Sequence, residues 1–441
     1  MNFSEKDSFI RPVIVGQFGP PTLTCIRSWG KQGFPVGMVC IRSERELYPA
    51  SKYLGDFTTL PPGKLYASDG MQIISDFLKQ FHASGIICVA EKIASWVNDQ
   101  RQMLPAEVAL WIPSNQAINS LISKKKQVEV AHKVGLNVLP TYFVGKDLQK
   151  INDIPEEHFP LCLRPTEPQA IKPAFKVQLV HSRDELIHFI KKLSKIDKSI
   201  IAQPFMDLPN LVVHGSRTVS GTSIGLQAFL VDRKFETVTL SIRPIVLEKD
   251  LEEKCIEFTN HFDVIGNYHF EFLIDRKNGS IYFLEINNRL GGTTAKVFAL
   301  GYDEPLLALQ SYGVLPLSPG TSNQKLAAIS HRPSSLVQRS KNNTQQPATG
   351  NVDRATGGRQ TEPTVHRPLD NVTVSSKLAL LKYLFYTINN RLTPLDYPSE
   401  GKLSRIIKTI YGFLKYRDDV FMLRDLRGSF AFYFQSLKNS F

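Results

Sequence analysis

Cysteine is scarce in this 441-residue chain, and its five copies, Cys25, Cys40, Cys88, Cys162 and Cys255, stand without paired spacing in mostly apolar runs. That excludes a disulfide framework and points to buried thiols in a reducing compartment. No apolar run approaches the roughly 20 residues of a membrane span, and the first residues do not read as a secretory leader, so a cytoplasmic protein is expected. The ten histidines show no zinc-ligand spacing, and neither a Gly-x-Ser-x-Gly elbow nor an internal repeat is present. Acidic residues are short in one place: residues 331–441 hold 17 Lys+Arg against 8 Asp+Glu, so +9 of the formal charge of +12 lies there. What is present is 42% hydrophobic content, enough at this length for substantial cores in two or three domains.

Residues 1–118 alternate short apolar runs with helical stretches. Val13-Ile-Val-Gly16, Val36 to Ile41 and Ile86 to Ala90 suit parallel strands, with a helix over Pro21 to Gln32, which together predict a Rossmann-like α/β unit. Gly16-Gln-Phe-Gly19 could bind an anion at a helix N-terminus, but the full dinucleotide fingerprint is absent.

The chemistry is expected in two alternating runs, Tyr268 to Asp275 and Ile281 to Arg289, around the turn signal Asn278-Gly279. They predict a β-hairpin whose register decides its use. A three-residue loop at Lys277 to Gly279 sets Glu271 opposite Glu285 with Asn287 on the same face; a two-residue Asn-Gly turn sends the carboxylates to opposite faces. Two carboxylates and an amide oxygen on one patch would suit Mg²⁺ whose shell is completed by nucleotide phosphates. The plain alternative is a solvated sheet face. Arg289, beside Gly291-Gly292-Thr293-Thr294, could brace a transferring phosphoryl group or an anionic intermediate.

These residues, Phe270-Glu-Phe-Leu with Tyr282-Phe-Leu-Glu-Ile-Asn-Asn-Arg289 and Gly291-Gly292, resemble the metal-binding hairpin of the ATP-grasp superfamily, in the pattern shared by biotin carboxylase and many carboxylate-amine ligases. Ser123-Lys-Lys-Lys through Gly135 to Pro140-Thr141 is similar to the stretch that opens that fold, which makes Lys124 a nucleotide contact. Phe159 to Pro165 resembles the strand that usually ends in a phosphate-binding lysine; here that position is Arg164, and the usual glycine-rich loop is replaced by Thr166 to Lys176, with three prolines in between two candidate cations. Lys176 is a second candidate contact to ATP. Gln203, Pro204, Phe205 and Met206 match the hinge that holds adenine. Thr222 to Leu230 and Phe235 to Ile242 are read as a hairpin turning at Asp232-Arg-Lys, with Arg243 beyond it assigned, by the resemblance, to face the phosphates. The N-terminal pattern Ile26 to Val36 with Ser51-Lys-Tyr53 resembles that of ATP-grasp enzymes related to D-aspartate ligase.

The expected organisation is a Rossmann-like domain over 1–118, then an ATP-grasp domain over 119–330, with subdomains 119–200 and 201–330. A disordered linker follows over 331–371, and a basic, aromatic-rich helical region over 372–441. Within that region Leu378 to Leu392 and Leu403 to Leu437 carry helical periodicity. They are read as an appendage on the core, with an anionic membrane surface or an acidic partner as the alternative; nucleic acid is not expected. The resemblance implies ATP with Mg²⁺, two ions rather than one, or Mn²⁺ in their place. It implies ligation of a small carboxylate to an amine through an acylphosphate, by a chain that could also self-associate. Two rivals are a decayed ATP-binding scaffold and a carboxylase, although no Met-Lys-Met biotin-attachment tripeptide occurs.

Overall fold

Three sheets and a two-stranded ribbon carry the described residues, and the expected α/β and α+β class holds. The computed structural model describes residues 10–167, 170–197, 199–236, 238–317 and 372–438. The linker expected at 331–371 lies outside the described residues, as do Pro168 and Gln169 after Arg164.

Strands β1 (Pro12–Gly16), β2 (Val36–Ile41), β3 (Leu54–Leu60), β4 (Gly85–Cys88) and β5 (Ala109–Leu110) form a parallel sheet in the order β3-β2-β1-β4-β5. Helices α1 (Pro20–Lys31), α2 (Ser68–Gln80) and α3 (Glu91–Asp99) cover it. Val13 and Val15 pack with Ile74 and Phe77 on one face, while Ile14 packs with Ile26 and Trp29 on the other. Burial on both faces is why β1, β2 and β4 read as unbroken apolar runs. The edge strands β3 and β5 are half-exposed or short, so they lack that signature.

Helices α4 (Asn115–Ile122) and α5 (Lys124–Lys133) follow, each started by a serine, Ser114 and Ser123, whose hydroxyl accepts a hydrogen bond from the first turn. This cap makes Lys124 the first residue of α5. The chain continues through β6 (Tyr142–Val144), α6 (Gln149–Asn152), β7 (Leu161–Pro165), β8 (Ile171–Lys172), β9 (Gln178–Val180), α7 (Arg183–Lys192), β10 (Lys195–Ile196) and β11 (Ile200–Pro204). β8 and β10 pair as a short ribbon, and the rest form an antiparallel sheet β6-β11-β7-β9.

The third sheet is built from β12 (Asn210–Arg217), β13 (Ser223–Phe235), β14 (Val238–Ile245), β15 (Gly266–Ile274) and β16 (Ile281–Asn287), with α8 (Lys249–His261) between β14 and β15. After α9 (Thr294–Ala299) and α10 (Glu304–Ser311), β17 (Val374–Ser375) and β18 (Arg417–Asp418) extend it to seven strands, β16-β15-β12-β13-β14-β17-β18. One face packs Val213, Phe270, Phe272, Phe283 and Ile286 against α5 and α8. The other face presents Glu271 and Glu285.

The expected turn at Asp232-Arg-Lys is corrected. β13 runs on to Phe235 and the chain reverses at Glu236, which has φ +49°. Charged residues persist inside this strand because each has a partner: Arg233 donates to the Tyr383 hydroxyl at 2.9 Å and to Glu400 at 3.0 Å, and Lys234 donates to Asn210 Oδ1 at 2.8 Å.

The C-terminal stretches form α11 (Lys377–Ile388), α12 (Lys402–Lys415) and α13 (Leu426–Lys438), and they dock on the rest of the chain. Arg27 pairs with Asp425 at 2.8 Å, both side chains buried, and Lys296 pairs with Asp419 at 2.8 Å. Asp418 accepts from the amides of Val420 and Phe421, which ends the helical run expected to continue from Leu403 to Leu437. Among the described residues no helix is long and apolar enough to cross a membrane.

Candidate nucleotide and metal site

The β15–β16 hairpin places Glu271 directly opposite Glu285 and His269 opposite Asn287. The route to that pairing differs from the three-residue loop. The hairpin tip pairs Ile274 with Ile281 and Phe272 with Phe283, one residue out of the expected register, and an irregularity at Leu284 restores Glu271 to Glu285. Phe283 and Ile286, three apart, both belong on the apolar face. Regular alternation allows only even spacing on one face, and one extra residue resolves the conflict.

Around these carboxylates a cavity of about 720 Å³ is bounded by β7, the segment before β9, the end of β11, and the third sheet. Lys124, Arg164, Lys176, Gln203, Pro204, Phe205 and Met206 line it, together with Glu271, Glu285, Asn287 and Arg289. Lys124 donates to Glu285, Arg164 lies 3.5 Å from the same carboxylate, and the Asn287 amide donates to it at 3.3 Å. Arg164 also donates to the Gln203 side chain at 2.7 Å, which ties the cation to the hinge strand β11. Arg289 pairs with Glu91 at 2.8 Å, so the start of α3 in the parallel-sheet region reaches the site.

Burial pushes both glutamates toward the neutral form, but their neighbours divide them. For Glu285 the charges of Lys124 and Arg164, with hydrogen bonds from Lys124 and Asn287, overcome burial and lower the pKa to about 2. For Glu271 burial is reinforced by the like charge of Glu285, and its pKa is raised although Lys124, Arg164 and Lys176 oppose this. A pair of carboxylates held this close gains from a cation. No three His, Cys, Asp or Glu side chains cluster as a ready metal cage among the described residues. The donor set is two carboxylates and one amide oxygen. Mg²⁺ accepts such a partial, all-oxygen set when phosphate oxygens supply the remainder, so the residues fit that ion.

Arg243 does not join this group. It is absent from the cavity lining and pairs with Asp232 at 3.2 Å. The pairings Arg243 to Leu230, Leu230 to Leu211 and Leu211 to Phe272 place it on the face opposite Glu271. The expected phosphate role is therefore corrected: strand alternation turns this residue away.

Three further residues at the site were missed in the sequence. Asn210 donates to Glu271 at 3.5 Å and accepts from Lys234. Lys234 is a fifth cation in the cavity wall, its pKa lowered by burial against the pull of Glu271 and Asp207. His269 is buried on the face that carries Glu271 and Glu285, burial lowers its pKa, and its ring lies where a Cβ at Gly291 would come within 2.5 Å. The available signal for Lys234 was Phe235, an apolar residue immediately after the supposed turn.

Comparison with known proteins agrees with this geometry. The family model described as carbamoyl-phosphate synthase L chain, ATP binding domain, matches residues 246–300, the segment that contains the hairpin. A putative urea carboxylase of Emericella nidulans is 25% identical over 283 residues, 58% of this chain; the chain spans only 22% of that relative's length. The structure of biotin carboxylase from Campylobacter jejuni in complex with β-γ-ATP superposes with a TM-score of 0.54 at 17% identity, over 70% of this chain and 72% of the other. That of L-amino acid ligase from Bacillus licheniformis gives 0.51 at 16% identity, over 68% and 73%. With the carboxylate hairpin and the cationic cavity on the page, the likeness is one of fold: over about 70% of its length the chain is built as biotin carboxylase and the L-amino acid ligase are.

Proposed function

We propose that this chain is an ATP-dependent carboxylate–amine ligase. The observation that carries the reading is the Glu271–Glu285 pair on the wall of a cavity that also presents Lys124, Arg164, Lys176 and Arg289. Opposed charges concentrated in one cleft suit a bound polyphosphate and its metal. Glu271, Glu285 and Asn287 would hold Mg²⁺, which neutralises phosphate charge when bound. Lys124, Arg164 and Lys176 hold the phosphates, and the segment Gln203 to Met206 holds the adenine. Arg164 replaces a lysine point charge with a planar fork, which can grip phosphate through two N–H groups.

In the reaction a substrate carboxylate oxygen attacks the γ-phosphorus and ADP leaves, giving an acylphosphate. The amine nitrogen then attacks the acyl carbon, inorganic phosphate departs, and the nitrogen gives up its proton as the amide forms. Little covalent chemistry falls to the protein, which aligns the reactants and stabilises charge. In this reading Arg289 steadies the acylphosphate, and its ion pair with Glu91 supports the assignment by fixing the guanidinium at the cavity wall.

A carboxylase is the second reading, favoured by the urea carboxylase relative and the biotin carboxylase neighbour. Bicarbonate would then be the acid that is phosphorylated. The two readings separate when the chain is incubated with Mg²⁺ and ATP and either pools of amino acids or bicarbonate with an amine acceptor. ADP release that requires a pair of amino acids, with a product at the mass of their amide, supports the ligase. Release that requires bicarbonate assigns the carboxylase, and ATP binding without ADP under every pool contradicts both.

A further inference from the structure

Helices α11 and α12 point apolar stripes away from the protein. On α12, Leu403, Ile407, Ile410 and Leu414 recur at helical spacing, and Leu403 and Leu414 are 70% and 71% exposed. The opposite side of the same helix, Thr409 and Gly412, is the buried one. On α11, Leu381, Phe385 and Ile388 repeat the pattern, each about half exposed. The two helices pack antiparallel: the Lys402 ammonium donates to the Ile388 carbonyl at one end, and Lys377 lies over the Phe413 ring at the other. An ordinary surface helix buries its apolar stripe and shows its polar side, so this pair is inverted and lacks a cover.

Charge identifies the cover. All five carboxylates of residues 372–438 are spent inside the fold. Asp396 accepts from the Glu236 and Thr393 amides, Glu400 from Arg233, and Asp418 from the Val420 amide. Asp419 and Asp425 pair with Lys296 and Arg27. Among these described residues none of the carboxylate side chains is exposed, whereas Lys382, Arg391, Lys402, Lys408 and Lys415 on and between the two helices are. Lys382 pairs with Glu236 and Lys408 with Glu400, and with those two pairs set aside the surface offered is apolar and cationic. A second copy on this face would set like charges against each other, and the intervening segment 331–371 has few large apolar residues to cover it.

We propose that the α11–α12 hairpin docks this protein on a bilayer containing anionic lipid, its leucines and isoleucines entering the acyl boundary and its lysines meeting the headgroups. The inference is independent of the reaction catalysed. The test is co-sedimentation of the full chain with vesicles of phosphatidylcholine alone or mixed with phosphatidylserine. Binding to the mixed vesicles, weak binding to the neutral ones, and loss at high salt are expected. Two exposed-site variants separate the contributions, each checked for an unchanged melting temperature. Leu403→Ser with Leu414→Ser should lower the partition at least tenfold. Arg391→Glu with Lys402→Glu and Lys415→Glu should lower it by about 100-fold or more, at roughly 1 kcal/mol per cation. Absence of binding to anionic vesicles, or equal binding to both vesicle types, overturns the proposal. So does a dimer in sedimentation velocity that reverts to monomer in the leucine variant, which would give the face to a second copy.

Discussion

Glu271 faces Glu285 across the β15–β16 hairpin although the two strands do not keep one register along their length. The irregularity at Leu284 lets Phe283 and Ile286 enter the apolar core while Glu285 and Asn287 stay with Glu271 on the cavity side. Leu284 itself lines the cavity, and its carbonyl accepts from Arg164 at 3.5 Å. One inserted residue therefore serves both the packing of the sheet and the arrangement of the site.

Gly291 is the closest packing constraint next to that hairpin. A Cβ there would meet the His269 ring at 2.5 Å, and His269 pairs directly with Asn287. Gly291→Ala is expected to destabilise the fold by about 1–3 kcal/mol, as overpacked cores do, and to reduce ADP release. Gly292→Ala, where nothing lies within 4 Å of the added carbon, is the control and should leave the melting temperature unchanged. Equal melting temperatures for the two variants would contradict the packing argument.

Arg243 and Lys234 give opposite expectations from neighbouring strands. Arg243→Ala should leave turnover within about twofold, because its side chain lies across the sheet from Glu271, and distant surface changes have small effects. Lys234→Met keeps the length of a buried side chain but removes its charge beside Glu271, and should weaken ATP binding by about tenfold or more, the value of one charged hydrogen bond. ATP titration of both variants checks this; a strong effect at Arg243 with none at Lys234 would reverse the assignment of faces.

Asp425 anchors the C-terminal helices to α1. Burial raises its carboxyl pKa, but hydrogen bonds from Arg27, the Lys52 amide and Ser51 outweigh burial and hold it below the ordinary carboxylate value. The unfolded chain titrates near ~3.9, above the folded value. The stabilisation is therefore complete above about pH 4 and is lost as the pH falls through the folded pKa. Asp425→Asn leaves Arg27 buried without its counter-ion and should cost about 3 kcal/mol at neutral pH. Thermal melting across an acid series should show a flatter acid limb in the variant; an unchanged limb and an unchanged neutral melting point would contradict the assignment.

Much of this was legible where apolar periodicity was clean. The runs Val13 to Gly16 and Val36 to Ile41 suited parallel strands, which their burial on both faces explains, and the hairpin announced itself through Asn278-Gly279. The residues the cavity gathers were named from motif position, but Arg243 went to the wrong face. The cause was a turn placed at Asp232-Arg-Lys, since three charged residues resemble a loop when their partners are far away. The partners of Arg233, Tyr383 on α11 and Glu400 just before α12, arrive from about 150 residues or more downstream. Asn210 and His269 were invisible for a related reason: each acts through cross-strand pairing, which a single run of sequence does not display.

The most direct measurement is ADP release by Glu285→Gln. The amide preserves the shape of the side chain but removes the charge that Lys124 and Arg164 surround. With a substrate pool that supports turnover by the unaltered chain, the account predicts a loss of about 100-fold or more, the scale seen when a charge-stabilising group leaves an active site, in a protein that still melts cooperatively. Turnover within a factor of about two of the unaltered chain would contradict it.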